Sequence, residues 1–202
     1  MFALNLPINS LSFGQVSTAF LREIHKLGHE PCIFPIGNNI DLSSQNENQE
    51  SDFYKWLVSC VSKSLQKHSR NNPIFKLWHI NGSLESLSEK QLLYTFYELD
   101  SPTNEEINIL KNQSKVFVSN NYTKSVFENF GIESIVLPLA FDSQNFKVIN
   151  KKYYHDERIV FLLLGKFEKR KAHQKVIQAW LKKYGNNPRY FLNCAIFNPF
   201  LT

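Results

Sequence analysis

Short apolar runs and stretches with apolar residues at helical spacing follow one another from the first residues onward, and a chain that alternates in this way has few folds open to it. From Phe2 to Leu6 an apolar run meets Pro7, a polar loop passes through Gly14, and Val16, Phe20, Ile24 and Leu27 then recur at helical spacing. Gly28 is placed to supply the left-handed residue that ends this helix, and Pro31 to Ile36 reads as a second strand. Gly37 to Glu50 is polar and predicts a long exposed loop. Phe53, Trp56, Leu57, Cys60, Val61 and Leu65 mark the buried face of a helix of about four turns. Ile74 to Ile80, Leu92 to Tyr97, Lys115 to Ser119 and Ser134 to Leu137 read as strands, with helical patterns between the last three, Pro102 near the start of one and Gly131 at the end of the next. The expected fold is α/β with a mostly parallel, doubly wound sheet.

A second boundary is expected where the sequence turns polar and basic without a period, from Asn145 to Glu157. Beyond it Arg158 to Leu164 predicts a strand ending at Gly165, Val176, Ile177, Trp180, Leu181 and Tyr184 a helix, and Tyr190 to Ile196 another strand. Two strands and one helix cannot bury a core by themselves, so residues 157–202 read as a fragment or an appendage on a first domain spanning 1–147. The length of 202 residues agrees, with room for one domain and part of another at roughly 100 to 200 residues each.

With 43% hydrophobic and 20% charged residues the disordered class is excluded. A net charge of +5 suits a phosphorylated ligand and falls short of the basic stripe that nucleic acid requires. No apolar run approaches the ~20 residues of a membrane span, and the N-terminus lacks the pattern of a secretory signal, so a cytoplasmic protein with at most peripheral membrane contact is expected. Cys32, Cys60 and Cys194 are odd in number and lie within apolar patterns, which predicts free, buried thiols.

The stretch with most chemistry is Gly165 to His173, G-K-F-E-K-R-K-A-H, between a strand and a helix. Anions are favoured there because backbone N–H groups and the helix dipole face one crevice, and Lys166 and Lys171 add charge; a solvated basic loop is the plainer reading. His79 follows a strand and is either a cleft residue or a buried structural histidine. Glu98 and Asp100 follow another strand as cleft candidates, while Asp100 or Ser101 also suits the N-cap ahead of Pro102. His25 and His29 have metal-ligand spacing, but Gly28 breaks the helix between them and no glutamate adjoins His25, so no metal is expected. No nucleophile elbow, Walker loop or Gly-x-Gly-x-x-Gly fingerprint occurs.

The strand ending in Gly165, the basic Lys166, Lys171 five positions on and the helix containing Ala179-Trp180 resemble the start of the donor-binding domain in GT-B glycosyltransferases of family 4. Val116 to Ile132, Val136 to Asp142 and Phe146 are similar to the last segment of that family's N-terminal domain, and Phe13 to Glu30 to its first loop and helix, all in the same order. Departures occur at Lys166 for Arg, at Ala172 and Ala140 for Gly, and in the first loop, where Gly14 stands alone. The resemblance implies a Rossmann-like acceptor-side domain followed by the first βαβ of a donor-binding domain. It also implies an enzyme that transfers sugar from a nucleotide-sugar donor to a glycan, lipid or small-molecule acceptor, with retention and without a cofactor or metal. Lys166 and Lys171 would stabilise the departing diphosphate, Gly14 would let backbone approach it closely, and His79 would orient the reacting sugar. The family's two glutamates, seven residues apart, would lie beyond Thr202, so this chain alone is expected to bind a nucleoside diphosphate weakly and transfer poorly unless a separately encoded half completes it. The alternative is a truncated or degenerate, non-catalytic relative that acts as a binding module.

Overall fold

A computed structural model describes residues 1–45, 47–148, 150 and 157–198, which divide into two compact units, Met1–Lys147 and Val148–Thr202. The first unit is α/β. Its six strands, β1 (Ala3–Ile8), β2 (Cys32–Ile40), β3 (Ile74–Leu77), β4 (Gln91–Thr95), β5 (Lys115–Val118) and β6 (Ile135–Val136), form one sheet in the order β2-β1-β3-β4-β5-β6. Every neighbouring pair is parallel. Parallel strands covered on both faces need continuous apolar runs. Here α1 (Ser12–Lys26) and α2 (Asp52–Ser62) pack Leu21, Ile24, Phe53 and Leu57 with Leu4, Leu6 and Tyr94, whereas α4 (Asn104–Lys111) and α5 (Asn121–Glu128) pack Leu110 and Phe127 with Leu93 and Val118. Leu93 and Tyr94 are consecutive on β4 and point to opposite faces, so the two cores lie on opposite sides of the sheet, as expected of a doubly wound fold.

The chain leaves β1 for β2 on one side and returns at β3 on the other, so the connections diverge at the carboxyl ends of β1 and β3. Ligands of open α/β sheets sit at such a point.

Several expected elements differ in extent. β2 runs on to Ile40, and the register with β1 jumps from Pro7↔Ile36 to Ile8↔Ile40. Gly37 (φ 88°) and Asn38 (φ 52°) take the left-handed conformations that this bulge requires, so the polar run begins inside a strand. The four-turn helix breaks at Lys63 into α2 and a short α3 (Ser64–Lys67), because the Ser64 hydroxyl turns inward to take the Ile33 N–H (2.6 Å) and donate to the Ile33 carbonyl (2.9 Å). Leu65, expected on the buried face, is therefore 87% exposed. Gly28 (φ 73°) and Gly131 (φ 69°) end α1 and α5 in the left-handed region as the sequence predicts.

The second unit contains β7 (Ile159–Lys166), α6 (His173–Tyr184) and β8 (Tyr190–Phe197), with the two strands paired in parallel. β7 continues through Gly165 (φ 126°) rather than ending there. Among its described residues only His173 is buried, and Leu162, Leu164 and Leu181 are more than half exposed. Cys194 is consequently exposed, which corrects the expectation of three buried thiols, while Cys32 and Cys60 are buried. Residues 151–156 of the expected linker and 199–202 of the second region lie outside the described residues. Among the described residues no helix is long and apolar enough to cross a membrane.

Candidate functional site

At the divergence point three separate connections each deliver an aromatic ring. Phe13, the second residue of α1, is 8% exposed. Its ring centroid lies 4.5 Å from that of His79, 4.6 Å from that of Phe96 and 5.6 Å from that of Trp78. Trp78 and His79 follow β3, and Phe96 follows β4. Trp78 and Phe96 are half-buried, and His79 is exposed at the carboxyl end of the sheet instead of forming part of the core. Gly82 makes room for the indole: a Cβ there would sit 2.3 Å from Trp78 Nε1. The Ser83 hydroxyl donates to the His79 carbonyl (2.7 Å), which fixes the turn that presents the imidazole.

Gly14 is buried one turn into α1, and a Cβ there would lie 2.1 Å from the Asn9 carbonyl oxygen and 2.4 Å from Asn9 Oδ1. The close approach that this glycine permits is made by Asn9 of the same chain, whose Oδ1 also accepts the Leu11 N–H (3.0 Å).

Glu98 and Asp100 are both exposed beyond β4. Neither Asp100 nor Ser101 caps α4. Thr103 does, its hydroxyl accepting from the Glu106 N–H (3.2 Å) while the Glu106 carboxylate accepts from the Thr103 N–H (2.9 Å). This reciprocal box satisfies two end amides at once, which Asp100 upstream of Pro102 could not match. Next to Glu98, Tyr97 is nearly buried, and burial together with the Glu106 carboxylate pushes its phenol up to about 12.

Sequence reasoning missed Arg22. It is 4% exposed, donates to Asp142 Oδ2 (2.8 Å), pairs with Glu47 Oε1 (3.2 Å), bonds Gln45, and lies with its guanidinium 5.9 Å from the Phe53 ring centre. Gln45 in turn donates to Gln15. The cluster ties the segment after β2 and the turn after β6 to α1. Its sequence signal is an arginine immediately after the buried Leu21 of α1, which the apolar period alone does not single out.

In the second unit Lys166 is the last residue of β7, and Lys171 ends a 3-10 turn over Lys169–Lys171 ahead of α6. Lys166 (3.5 Å) and Arg170 (2.9 Å) both reach Glu168. Burial would raise the Glu168 carboxyl, but these two charges outweigh it and hold it below its ordinary value. Ala172 occupies the α6 N-cap with φ 53°, the left-handed region, and offers no side-chain acceptor to the first-turn amides. His173, first in the helix, is 3% exposed and stacked on Phe167, and its Nδ1 is buried without a hydrogen-bond partner among the described residues. The connection therefore offers open helix amides, a basic turn and an unmet buried imidazole nitrogen. His173 ends the motif picked out in the sequence but had no role assigned to it.

Among the described residues no group of three or more His, Cys, Asp and Glu could hold a metal ion. His25 packs at tilted angles against Phe53 and Trp56, and His29 meets Phe2 edge to face. Comparison with family models and with curated proteins gives no match for this chain.

Proposed function

We propose that this chain is part of a GT-B-type glycosyltransferase, its first unit the acceptor-side Rossmann-like domain and its second the start of the donor-binding domain. The observation that carries the reading is the distribution of charge. Residues 1–147 hold twelve Lys and Arg against fifteen Asp and Glu, whereas residues 148–202 hold eleven against three. The net charges of −3 and +8 concentrate the anion-attracting field on the unit whose βα connection opens helix amides beside Lys166 and Lys171. A nucleoside diphosphate is the anion of that size and charge that the family resemblance calls for. Lys166 and Lys171 would neutralise the charge that grows on the diphosphate as the glycosidic bond breaks, and His79, exposed at the divergence point, would orient the sugar by donating or accepting a hydrogen bond. Gly14 enters as packing for Asn9 and supports the loop from beneath.

A non-catalytic binding module is the second reading. It is favoured by the second unit having only His173 buried among its described residues, so that the basic loop attracts phosphate without enclosing base and ribose. Calorimetric titration with UDP and GDP, followed by a turnover assay with a panel of nucleotide sugars, separates the two. The transferase reading expects binding that falls when Lys166 and Lys171 are both changed to Ala and that weakens with salt. Unchanged binding in that double variant would remove the donor assignment, and binding without turnover under every donor would leave the module.

A further inference from the structure

The carboxyl end of the first unit's sheet has a charge character of its own. Residues 9–14, 41–51, 78–83, 96–103, 119–123 and 137–146 leave the strands at that end, and none of them is Lys or Arg. Their acids are Asp41, Glu47, Glu50, Glu98, Asp100 and Asp142, of which Glu47 and Asp142 are taken up by Arg22. A phosphorylated ligand placed there would meet six carboxylates against two cations, Arg22, already held by Glu47 and Asp142, and Lys147, which lines a cavity with Arg22, Glu47 and Gln144; like charges at such a surface repel it. What the same end does provide is the ring cluster of Phe13, Trp78, His79 and Phe96, three of whose members keep part of their surface open. The Trp78 indole N–H takes no hydrogen-bond partner among the described residues, and His79 and Asn81 stand exposed beside it. Rings with open faces hold a ligand that has a flat apolar side, while indole, imidazole and amide groups satisfy hydroxyls at its edge.

We propose that this cluster is the stacking platform for the acceptor and that the acceptor is an uncharged pyranoside. A pyranose ring carries C–H groups across one face and hydroxyls around its rim, which matches both features, and it has no charge for the acidic rim to repel. The word acceptor rests on the glycosyltransferase reading; the ligand class rests on the rings and on the excess of carboxylates over cations.

The full chain labelled with 15N-tryptophan tests this. Its three indole cross-peaks come from Trp56, Trp78 and Trp180, and Trp78→Phe assigns the relevant one. The probes are methyl α-glucopyranoside and methyl α-mannopyranoside, with glucose 1-phosphate, inorganic phosphate and tetramethylammonium alongside. Saturable movement of the Trp78 peak by at least one methyl pyranoside is expected, with Trp56 and Trp180 still and no dependence on salt. Phe96→Leu should weaken that response by about fivefold, the loss of one aromatic contact. His79→Ala, at an exposed position, gives the same reading should Phe96→Leu disturb the fold. A Trp78 peak that neither pyranoside moves overturns the proposal, as does one moved as readily by glucose 1-phosphate or more readily by tetramethylammonium. Failure here is distinct from failure of the transferase reading: pyranoside binding without a response to UDP or GDP sinks only the latter, and the reverse result sinks only this proposal.

Discussion

Arg22 is where a single substitution should cost the first unit most. Its guanidinium is 4% exposed, and the two carboxylates it meets, Glu47 and Asp142, are only 16% and 14% exposed. Arg22→Met keeps most of the apolar stem against Phe53 and removes the charge, leaving two poorly hydrated carboxylates with no cation between them and Gln45 short of a donor. Removing one partner of a buried pair costs about 3–5 kcal/mol. For a unit of this size that is a fall in Tm of roughly 10–15 °C. Asp142→Asn is milder, about 1–2 kcal/mol, because Glu47 and Gln45 still engage the guanidinium. The informative variant is Arg22→Met with Glu47→Gln and Asp142→Asn, which discharges the site and should regain at least half of the loss. Thermal unfolding followed by circular dichroism gives the order, and hydrogen exchange over 41–50 and 137–147 assigns it to this cluster. An Arg22→Met variant within about 1 kcal/mol of the parent, or a triple variant no better than the single one, would refute the reasoning.

Gly14→Ala should destabilise by about 2–3 kcal/mol or more, since its Cβ falls 2.1 Å from a backbone oxygen of Asn9 that has no flexible side chain to yield; urea unfolding measures it. Ala172→Gly relieves a left-handed alanine at φ 53°, worth about 1–2 kcal/mol, and gives back part of that through a freer unfolded chain, so a net gain of up to about 1 kcal/mol should appear as slower hydrogen exchange in α6. Tyr97 binds its proton more tightly folded than unfolded, so its contribution is complete below pH 10 and is lost as pH rises from 10 through about 12. Unfolding free energies across that window should fall more steeply in the parent than in Tyr97→Phe, and parallel curves would contradict the burial argument.

The alternation of strands and helices was legible because the β-strands of the first unit are built on apolar runs with turn residues nearby, and because Gly28 and Gly131 mark helix ends in the left-handed region. What the pattern could not carry was information from partners remote in sequence. Leu65 looks like the continuation of an apolar face until Ser64 turns to the edge of β2 thirty-one residues away. Arg22 looks like an ordinary helical arginine until Asp142 arrives from 120 residues further along. The α4 cap is a local case: Asp100 and Ser101 lie just ahead of Pro102 and suit an N-cap, but the Thr103-to-Glu106 box, visible in the sequence, satisfies two amides rather than one. In the candidate site His79 and the motif around Lys166 stand out by residue type, but Phe13 falls in a polar loop and Trp78 and Phe96 inside strand runs, and only the order of the strands brings them to one end of the sheet.

The same separation explains why whole-chain composition pointed to a phosphorylated ligand without saying where it would bind. A net charge of +5 is the small remainder of an acidic unit and a strongly basic one, and a sum hides the two opposite fields. Each field acts over about a Debye length, ~8 Å at physiological salt, so a ligand meets the local charge and not the total. The connection that carries Lys166 and Lys171 attracts a phosphate group, and the carboxyl end of the first sheet, where carboxylates outnumber cations, does not. On the proposed function, an anionic donor and an uncharged acceptor would thereby be sorted before either makes a specific hydrogen bond. Sorting of this kind needs no enclosed pocket in the second unit, only that the charge on each unit stay as it is.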